Sequence, residues 1–123
     1  MRRQTEQRRA IRQALKAAGR PLSAQEVLEA AQGSVSGLGI ATVYRNLKAL
    51  VDEGWLRPVD LPGEPSRYEL AAQDHHHHFH CGACDRVFDV DGCLKGLERN
   101  LPDGFEAERH EVVIYGRCAD CAG

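Results

Sequence analysis

Two Cys-x-x-Cys pairs, Cys81-Gly82-Ala83-Cys84 and Cys118-Ala119-Asp120-Cys121, constrain this chain more than any other feature. Each short loop can aim two sulfurs at one ion at about 2.3 Å, the zinc–thiolate distance, so the pairs match a four-thiolate structural zinc site. The 33 residues between the pairs exceed the spacing of an ordinary zinc ribbon, so the site must close around a small sub-domain. The alternative is two free or disulfide-forming pairs. Five cysteines in a chain with no export signal disfavour it, because they point to a reducing, cytoplasmic compartment. The N-terminus, Met1-Arg2-Arg3-Gln4-Thr5-Glu6, leads into charge rather than an apolar secretory segment. No stretch approaches the ~20 apolar residues of a membrane span.

A histidine run abuts the first pair: His75-His76-His77-His78-Phe79-His80-Cys81. Its internal position, joined directly to a Cys-x-x-Cys, sets it apart from an affinity tag. If the run is a strand, side chains alternate, so His76, His78 and His80 share one face and His75 and His77 the other. Each face then offers an i, i+2 pair of imidazoles, enough to begin a metal site but not to complete one. Glu69, Asp74, Asp89, Cys93 and His110 are available to finish such sites. A solvated histidine-rich strand is the bland alternative.

The net charge of −2 hides a division. Residues 1–60 carry ten Lys/Arg against six Asp/Glu, whereas residues 61–123 carry six against twelve. All six histidines and all five cysteines lie in the second half. The first half suits a polyanion and the second suits cations.

The first half reads as helical. Residues 4–18 hold strong helix formers, with Ala10, Ile11, Leu15 and Ala18 on one stripe and Gly19 and Pro21 as the stop. Ser23-Ala24-Gln25-Glu26 fits a capping box that opens a second helix. A third helix is expected over about residues 41–53, with Val43, Leu47, Leu50 and Val51 turned inward and Gly54 just past its end. Two strand-like runs, Trp55–Val59 and Ser66–Leu70, flank the turn Pro62-Gly63-Glu64-Pro65. Three helices followed by a hairpin outline a winged helix-turn-helix, whose third helix enters the major groove of double-stranded DNA. Thr42, Tyr44, Arg45 and Asn46 are the candidate DNA contacts. Arg forks onto guanine, Asn onto adenine, and an aromatic ring can touch a thymine methyl. Tyr44 packing in the core with Arg45 merely solvated is the competing reading.

In the second half, Arg86–Val90 reads as a strand, about Leu94–Asn100 as a short helix, and Phe105–Tyr115 as a longer strand. Such a sheet is too small to hide both faces, so an open edge and an apolar face predict pairing with a second copy of the chain. The expected fold class is α+β: an N-terminal winged-helix DNA-binding domain, residues 1–70 with a hinge at about 57–72, then a small α/β dimerisation domain, residues 73–123.

Several of these segments together resemble the Fur family of metal-responsive regulators. They are Ala41-Thr42-Val43-Tyr44-Arg45-Asn46-Leu47, the hairpin end Tyr68-Glu69-Leu70, the histidine run before Cys81-Gly82-Ala83-Cys84, and His110 followed by Tyr115-Gly116-Arg117-Cys118. The resemblance implies a homodimer on a near-palindromic operator, with structural zinc on Cys81, Cys84, Cys118 and Cys121. It also implies a regulatory metal site using Glu69, His76, His78 and Asp89, and a further site using His75, His77 and His110. Tyr44 and Arg45 would meet bases.

The chain departs from the family's pattern. Pro21 stands where many iron-type members have a His ahead of the Ser-Ala of the second helix, and the N-terminal half has no His or Cys, so Asp60 is a substitute ligand to consider. Cys93 and Gly96 occupy the region where members often carry a Glu. Cys93 is either a fourth ligand beside His75, His77 and His110 or a buried apolar residue. Imidazole, thiolate and carboxylate donors suit zinc, which leans the reading toward the zinc-sensing Zur branch: a repressor of zinc uptake genes, not an enzyme. Iron(II), manganese(II) or peroxide sensing is the alternative within the family. A zinc store or a metallohydrolase is the alternative outside it.

Overall fold

The structure, a computed structural model, describes residues 2–71, 76–92 and 96–123, apart from the side chains of residues 2, 3 and 97. It is an α+β chain whose contacts fall into two units, Met1–Gln73 and Asp74–Gly123.

The first unit begins with α1 (Arg2–Ala18), β1 (Leu22–Ser23), α2 (Ala24–Gln32) and α3 (Ile40–Asp52). Gly19 stops α1 in the left-handed region at φ 62°, where an L side chain would be strained. At the start of α2 the capping box forms in full: Glu26 N–H donates to Ser23 Oγ at 3.1 Å and Ser23 N–H to Glu26 Oε1 at 3.0 Å. Helix α3 ends in a Schellman motif. Trp55 N–H reaches Leu50 O and Gly54 N–H reaches Val51 O, both at 2.9 Å, with Gly54 at φ 81°.

Strands β2 (Leu56–Val59) and β3 (Arg67–Leu70) follow as the expected hairpin. The two-residue β1 pairs antiparallel with β3, Leu22 opposite Tyr68, giving the sheet order β1-β3-β2. Nothing in the hydropathy pattern signals so short a strand; it forms because the chain leaving Gly19 is held beside β3. The core is one cluster that includes Ile11, Leu15, Val27, Val43, Leu47, Leu50 and Leu56, each nearly or fully buried. At about 1.5–3 kcal/mol for each large apolar side chain, these stripes explain why three short helices hold together.

The second unit is built differently. Strand β4 (His77–Cys81) lies between β5 (Val87–Val90), antiparallel, and β6 (Val113–Gly116), parallel. A 3₁₀ turn spans Leu97–Asn100, and α4 (Ala119–Ala122) carries the last cysteine. Among its described residues, Val87 and Cys81 are the apolar side chains that reach full burial, while Leu101, Phe105, Ile114 and Tyr115 are exposed. That core is too thin for a unit of this size to stand on hydrophobic burial alone.

Two expectations are corrected here. The segment over Leu94–Asn100 is a 3₁₀ turn entered through Gly96 at φ 91°, with residues 93–95 outside the described set. The long strand over Phe105–Tyr115 is cut to Val113–Gly116. Its ladder with β4 starts at His78 opposite Val113, which leaves only His77 of β4 for the segment before it. Phe105 is 66 % exposed despite its apolar pattern.

Candidate metal and nucleic-acid sites

The cysteine cluster is assembled by three backbone devices. After β4 the chain turns sharply, with Asp85 N–H donating to Cys81 O at 2.9 Å and Asp85 itself at φ 65°. The Cys84 amide points at Cys81 Sγ, 3.4 Å away. Strand β6 then delivers Cys118, whose amide also donates to Cys81 Sγ at 3.4 Å, and one turn of α4 brings Cys121 round.

The four sulfurs lie within 4.8 Å of one another, and Cys84 Sγ is 3.8 Å from Cys118 Sγ. A tetrahedron with zinc–sulfur bonds of about 2.3 Å has edges of about 3.8 Å, so the donor set fits zinc. The protonation pattern shows what the cluster needs. The Cys118 and Cys84 amides pull the Cys81 thiol down to about 6. The Arg86 side chain lowers Cys84 by donating to its sulfur. The Cys118 sulfur pushes Cys121 up to about 12. Packed this closely, the sulfurs cannot all carry charge unless a cation sits among them.

The histidine run alternates across β4 as expected. Asp89 stands directly across from His78 in the β4–β5 register. On that face His76 Nε2 and His78 Nε2 lie 3.0 and 3.4 Å from Asp89 Oδ1, all three side chains being largely buried. Asp89 Oδ1 is buried without a hydrogen-bond partner. Two imidazole nitrogens and a carboxylate oxygen that converge in this buried spot form a donor set that fits a metal ion.

On the other face the buried His77 ring lies 5.1 Å from His110, centroid to centroid. Sequence reasoning missed Glu98, whose Oε1 is 3.3 Å from His110 Nδ1. Only the left-handed turn at Gly96, invisible to periodicity, carries it there. His75 and Cys93 lie outside the described residues. His80, two residues on from His78 in β4, is engaged with Asp85 through its Nε2, 2.7 Å from Asp85 Oδ1, rather than with Asp89.

Within the first unit, Glu69 on β3 is buried and accepts from Arg57 Nε at 2.9 Å. Asp60 is exposed and accepts from Ser66 Oγ, which ties the two ends of the hairpin.

On α3, Tyr44 is 48 % exposed, which removes the core-packing reading of that residue. Arg45 is also exposed and Thr42 half-buried, and Arg45 Nη2 donates to Thr42 Oγ1 at 2.9 Å. Asn46 is half-buried and engaged at both ends of its amide. Its Nδ2 donates to Thr42 O at 2.9 Å and its Oδ1 accepts from Arg8 Nε at 3.1 Å. It therefore fastens α3 to α1. Among the described residues no helix is long and apolar enough to cross a membrane.

A helical unit with an exposed Tyr–Arg pair, and a unit with a tetrathiolate and a His–Asp cluster, define a metal-binding α+β protein. The chain belongs to the ferric uptake regulator family, whose sequence profile matches residues 2–115. It is 32% identical over 108 residues to the ferric uptake regulation protein of Synechococcus elongatus, across 85% of this chain and 74% of that one. A match to FurA of Mycobacterium tuberculosis, 36% identical, spans 65% of this chain and 56% of that protein. Among solved structures, the fold is similar to a zinc-bound manganese uptake regulator, with TM-score 0.76, 26% identity and coverage of 92% and 88%. It is similar also to FurB of Mycobacterium tuberculosis, a zinc uptake regulator, with TM-score 0.54, 30% identity and coverage of 97% and 95%. Members of this family are transcriptional regulators, not enzymes.

Proposed function

We propose that the chain is a cytoplasmic, zinc-responsive repressor of zinc uptake genes that binds a near-palindromic operator as a homodimer. The observation that carries the reading is the buried Asp89 oxygen between His76 and His78, left without a hydrogen bond. We assign the regulatory metal to these three residues, with Glu69 as the fourth donor carried over from the family resemblance. Two imidazoles with carboxylate oxygens suit tetrahedral zinc, whereas iron(II) and manganese(II) favour more oxygen donors. The likeness to FurB, a zinc uptake regulator, agrees with this reading. Structural zinc is assigned to Cys81, Cys84, Cys118 and Cys121. A further site takes His77 and His110, with His75 and Cys93 carried over from the sequence.

The first unit supplies the reader. Its three helices and hairpin serve as a winged helix, with the exposed Tyr44 and Arg45 and the half-buried Thr42 of α3 turned to the DNA. The exposed Ile114 and Tyr115 on the edge strand β6 support pairing with a second copy of the chain. Metal acts by binding the DNA-competent arrangement more tightly than the other. Moving the population from 1:99 to 99:1 takes a preference of about 10⁴, or about 5.5 kcal/mol. DNA must then tighten metal binding by the same factor that metal tightens DNA binding.

The test is a titration of the dimer, stripped of its regulatory metal, with zinc, iron(II) and manganese(II) against operator DNA. Zinc should promote binding at the lowest free concentration. Promotion by iron(II) or manganese(II) at a lower free concentration than zinc overturns the zinc assignment, and equal DNA affinity with and without metal overturns the regulator.

A further inference from the structure

The first unit holds a polar groove of about 780 Å³ between α1 and α3. One wall is α1, which contributes Arg8, Arg9, Arg12 and Lys16; the other is α3, which contributes Thr42 and Arg45. No carboxylate is among the residues that line it. None of these α1 residues is among the DNA contacts expected from the sequence, Thr42, Tyr44, Arg45 and Asn46.

The cations do different work. Arg8 is committed inward, donating to Asn46 Oδ1 at 3.1 Å and to Glu53 Oε1 at 3.4 Å. Arg12 lies over the Trp55 ring at 4.7 Å, which fixes its guanidinium while the residue stays exposed. Arg9 and Lys16 are exposed. Arg9, Arg12 and Lys16 recur at steps of three and four residues and so follow one line along the helix. At 1.5 Å per residue that line is about 10 Å long. Neighbouring phosphates on one strand lie about 7 Å apart along the backbone, so the row matches about two of them. The opposite wall is the face of α3 that carries Arg45, so an occupant of the groove runs directly beside the bases that α3 reads. An extended polyanion fits this arrangement, and the duplex already proposed for α3 is one.

We propose that Arg9, Arg12 and Lys16 of α1 form a phosphate clamp, which grips the DNA backbone alongside the recognition helix without reading sequence. This rests on the DNA-reading role proposed above. It adds a second contact surface whose signature differs from that of a base reader. Each phosphate contact adds about 0.9 to the slope of log affinity against log salt, whereas a base contact changes preference between sequences.

The test uses the full-length zinc-loaded protein and two duplexes: one selected from a random pool by the unmodified protein, and one of scrambled sequence. The variant is Arg9→Gln/Lys16→Gln, at two exposed positions on a helix that tolerates Gln well. Unchanged circular dichroism and zinc content certify its fold. Its affinity should fall by about tenfold or more on both duplexes alike, with the salt slope reduced by about 2 and the preference between duplexes retained. Arg9→Glu/Lys16→Glu should deepen the loss. Wild-type affinity and slope in the Gln variant, while the unmodified protein still selects its duplex, overturn the clamp and leave the DNA-reading role standing. A loss confined to the selected duplex also overturns it, because the residues would then be reading bases. If the unmodified protein selects no duplex at all, the DNA-reading role itself fails.

Discussion

Arg86 Nε donates to Cys84 Sγ at 3.1 Å, and its Nη2 lies 3.8 Å from Cys118 Sγ and 3.4 Å from Asp120 Oδ2. The guanidinium also lies 5.5 Å from the Phe88 ring, which fixes its orientation. A zinc ion with four thiolates carries two net negative charges, so a cation on two of its sulfurs reduces their basicity and their reactivity. Arg86→Gln should keep zinc at four-sulfur stoichiometry but lose it to a competing chelator about tenfold faster, the size expected for partners that hold metal ligands. Zinc-release kinetics with a chromogenic chelator check this. An unchanged rate removes the protective role.

The four cysteines are expected to hold the second unit together outright. Its described residues offer little apolar burial besides Val87 and Cys81. Structural zinc in small domains supplies about 10–16 kcal/mol of apparent binding energy that serves as folding energy. Cys118→Ser removes one sulfur and keeps the backbone amide that donates to Cys81 Sγ. The variant should lack structural zinc, lose the near-ultraviolet signal of Phe88 and Tyr115, and sediment as monomer. A zinc-free variant that remains a folded dimer contradicts the assignment.

These two cases show where sequence reading succeeds. Cysteine spacing and the capping box at Ser23 are local, and local chemistry fixes them almost regardless of context. The alternation of the histidine run is equally local, which is why His76 and His78 emerge together opposite Asp89. What fails depends on partners far along the chain. The strand expected over Phe105–Tyr115 shortens because β4 is only five residues long. Glu98 reaches His110 through a left-handed glycine turn that no periodicity announces. Asn46 is a base reader by chemistry alone, yet Arg8, 38 residues away, binds its oxygen.

Acid should expose the ion cluster around Glu26. Burial acts to raise this carboxyl, but the Arg20 hydrogen bond at 2.7 Å, the Ser23 amide and the nearby Arg67 outweigh it, so its pKa falls below the ordinary 4.5. A carboxylate depressed on folding stabilises the protein fully above its unfolded value. That contribution disappears as pH falls through the lower folded value. Glu26→Gln should therefore cost about 1–2 kcal/mol near neutrality, from the lost charge-assisted bonds. The gap between variant and wild type should close below about pH 4.5. Thermal melts of both proteins across that range decide it, and a gap independent of pH rules out the ion cluster as its source.

Asp89 separates regulatory metal from structural metal. Asp89→Ala removes the buried oxygen that His76 and His78 crowd, on the strand opposite the run, and leaves the four sulfurs untouched. The variant should retain one tightly held zinc per chain. Its second-site zinc affinity should fall at least about tenfold, and the metal dependence of DNA binding should flatten with it. Isothermal titration with zinc, paired with anisotropy on operator DNA, gives both numbers. Undiminished coupling would move the regulatory site to other residues.

Arg45 should set sequence preference, in contrast to the α1 cations. It is exposed on α3, and its guanidinium donates to Thr42 Oγ1 at 2.9 Å, a brace one turn back on the same helix. A guanidinium presented in this way can fork onto the O6 and N7 acceptors of a guanine in the major groove. Arg45→Ala should then cost about 1–3 kcal/mol on the selected operator and much less on scrambled DNA, relaxing preference at one base position. Thr42→Val, which removes the hydroxyl that braces Arg45, should produce a weaker change at the same position. The comparison needs only competition binding against operators mutated one base pair at a time. If Arg45→Ala weakens every duplex equally, Arg45 is a backbone contact, and base reading falls to Tyr44 and its neighbours on the same exposed face.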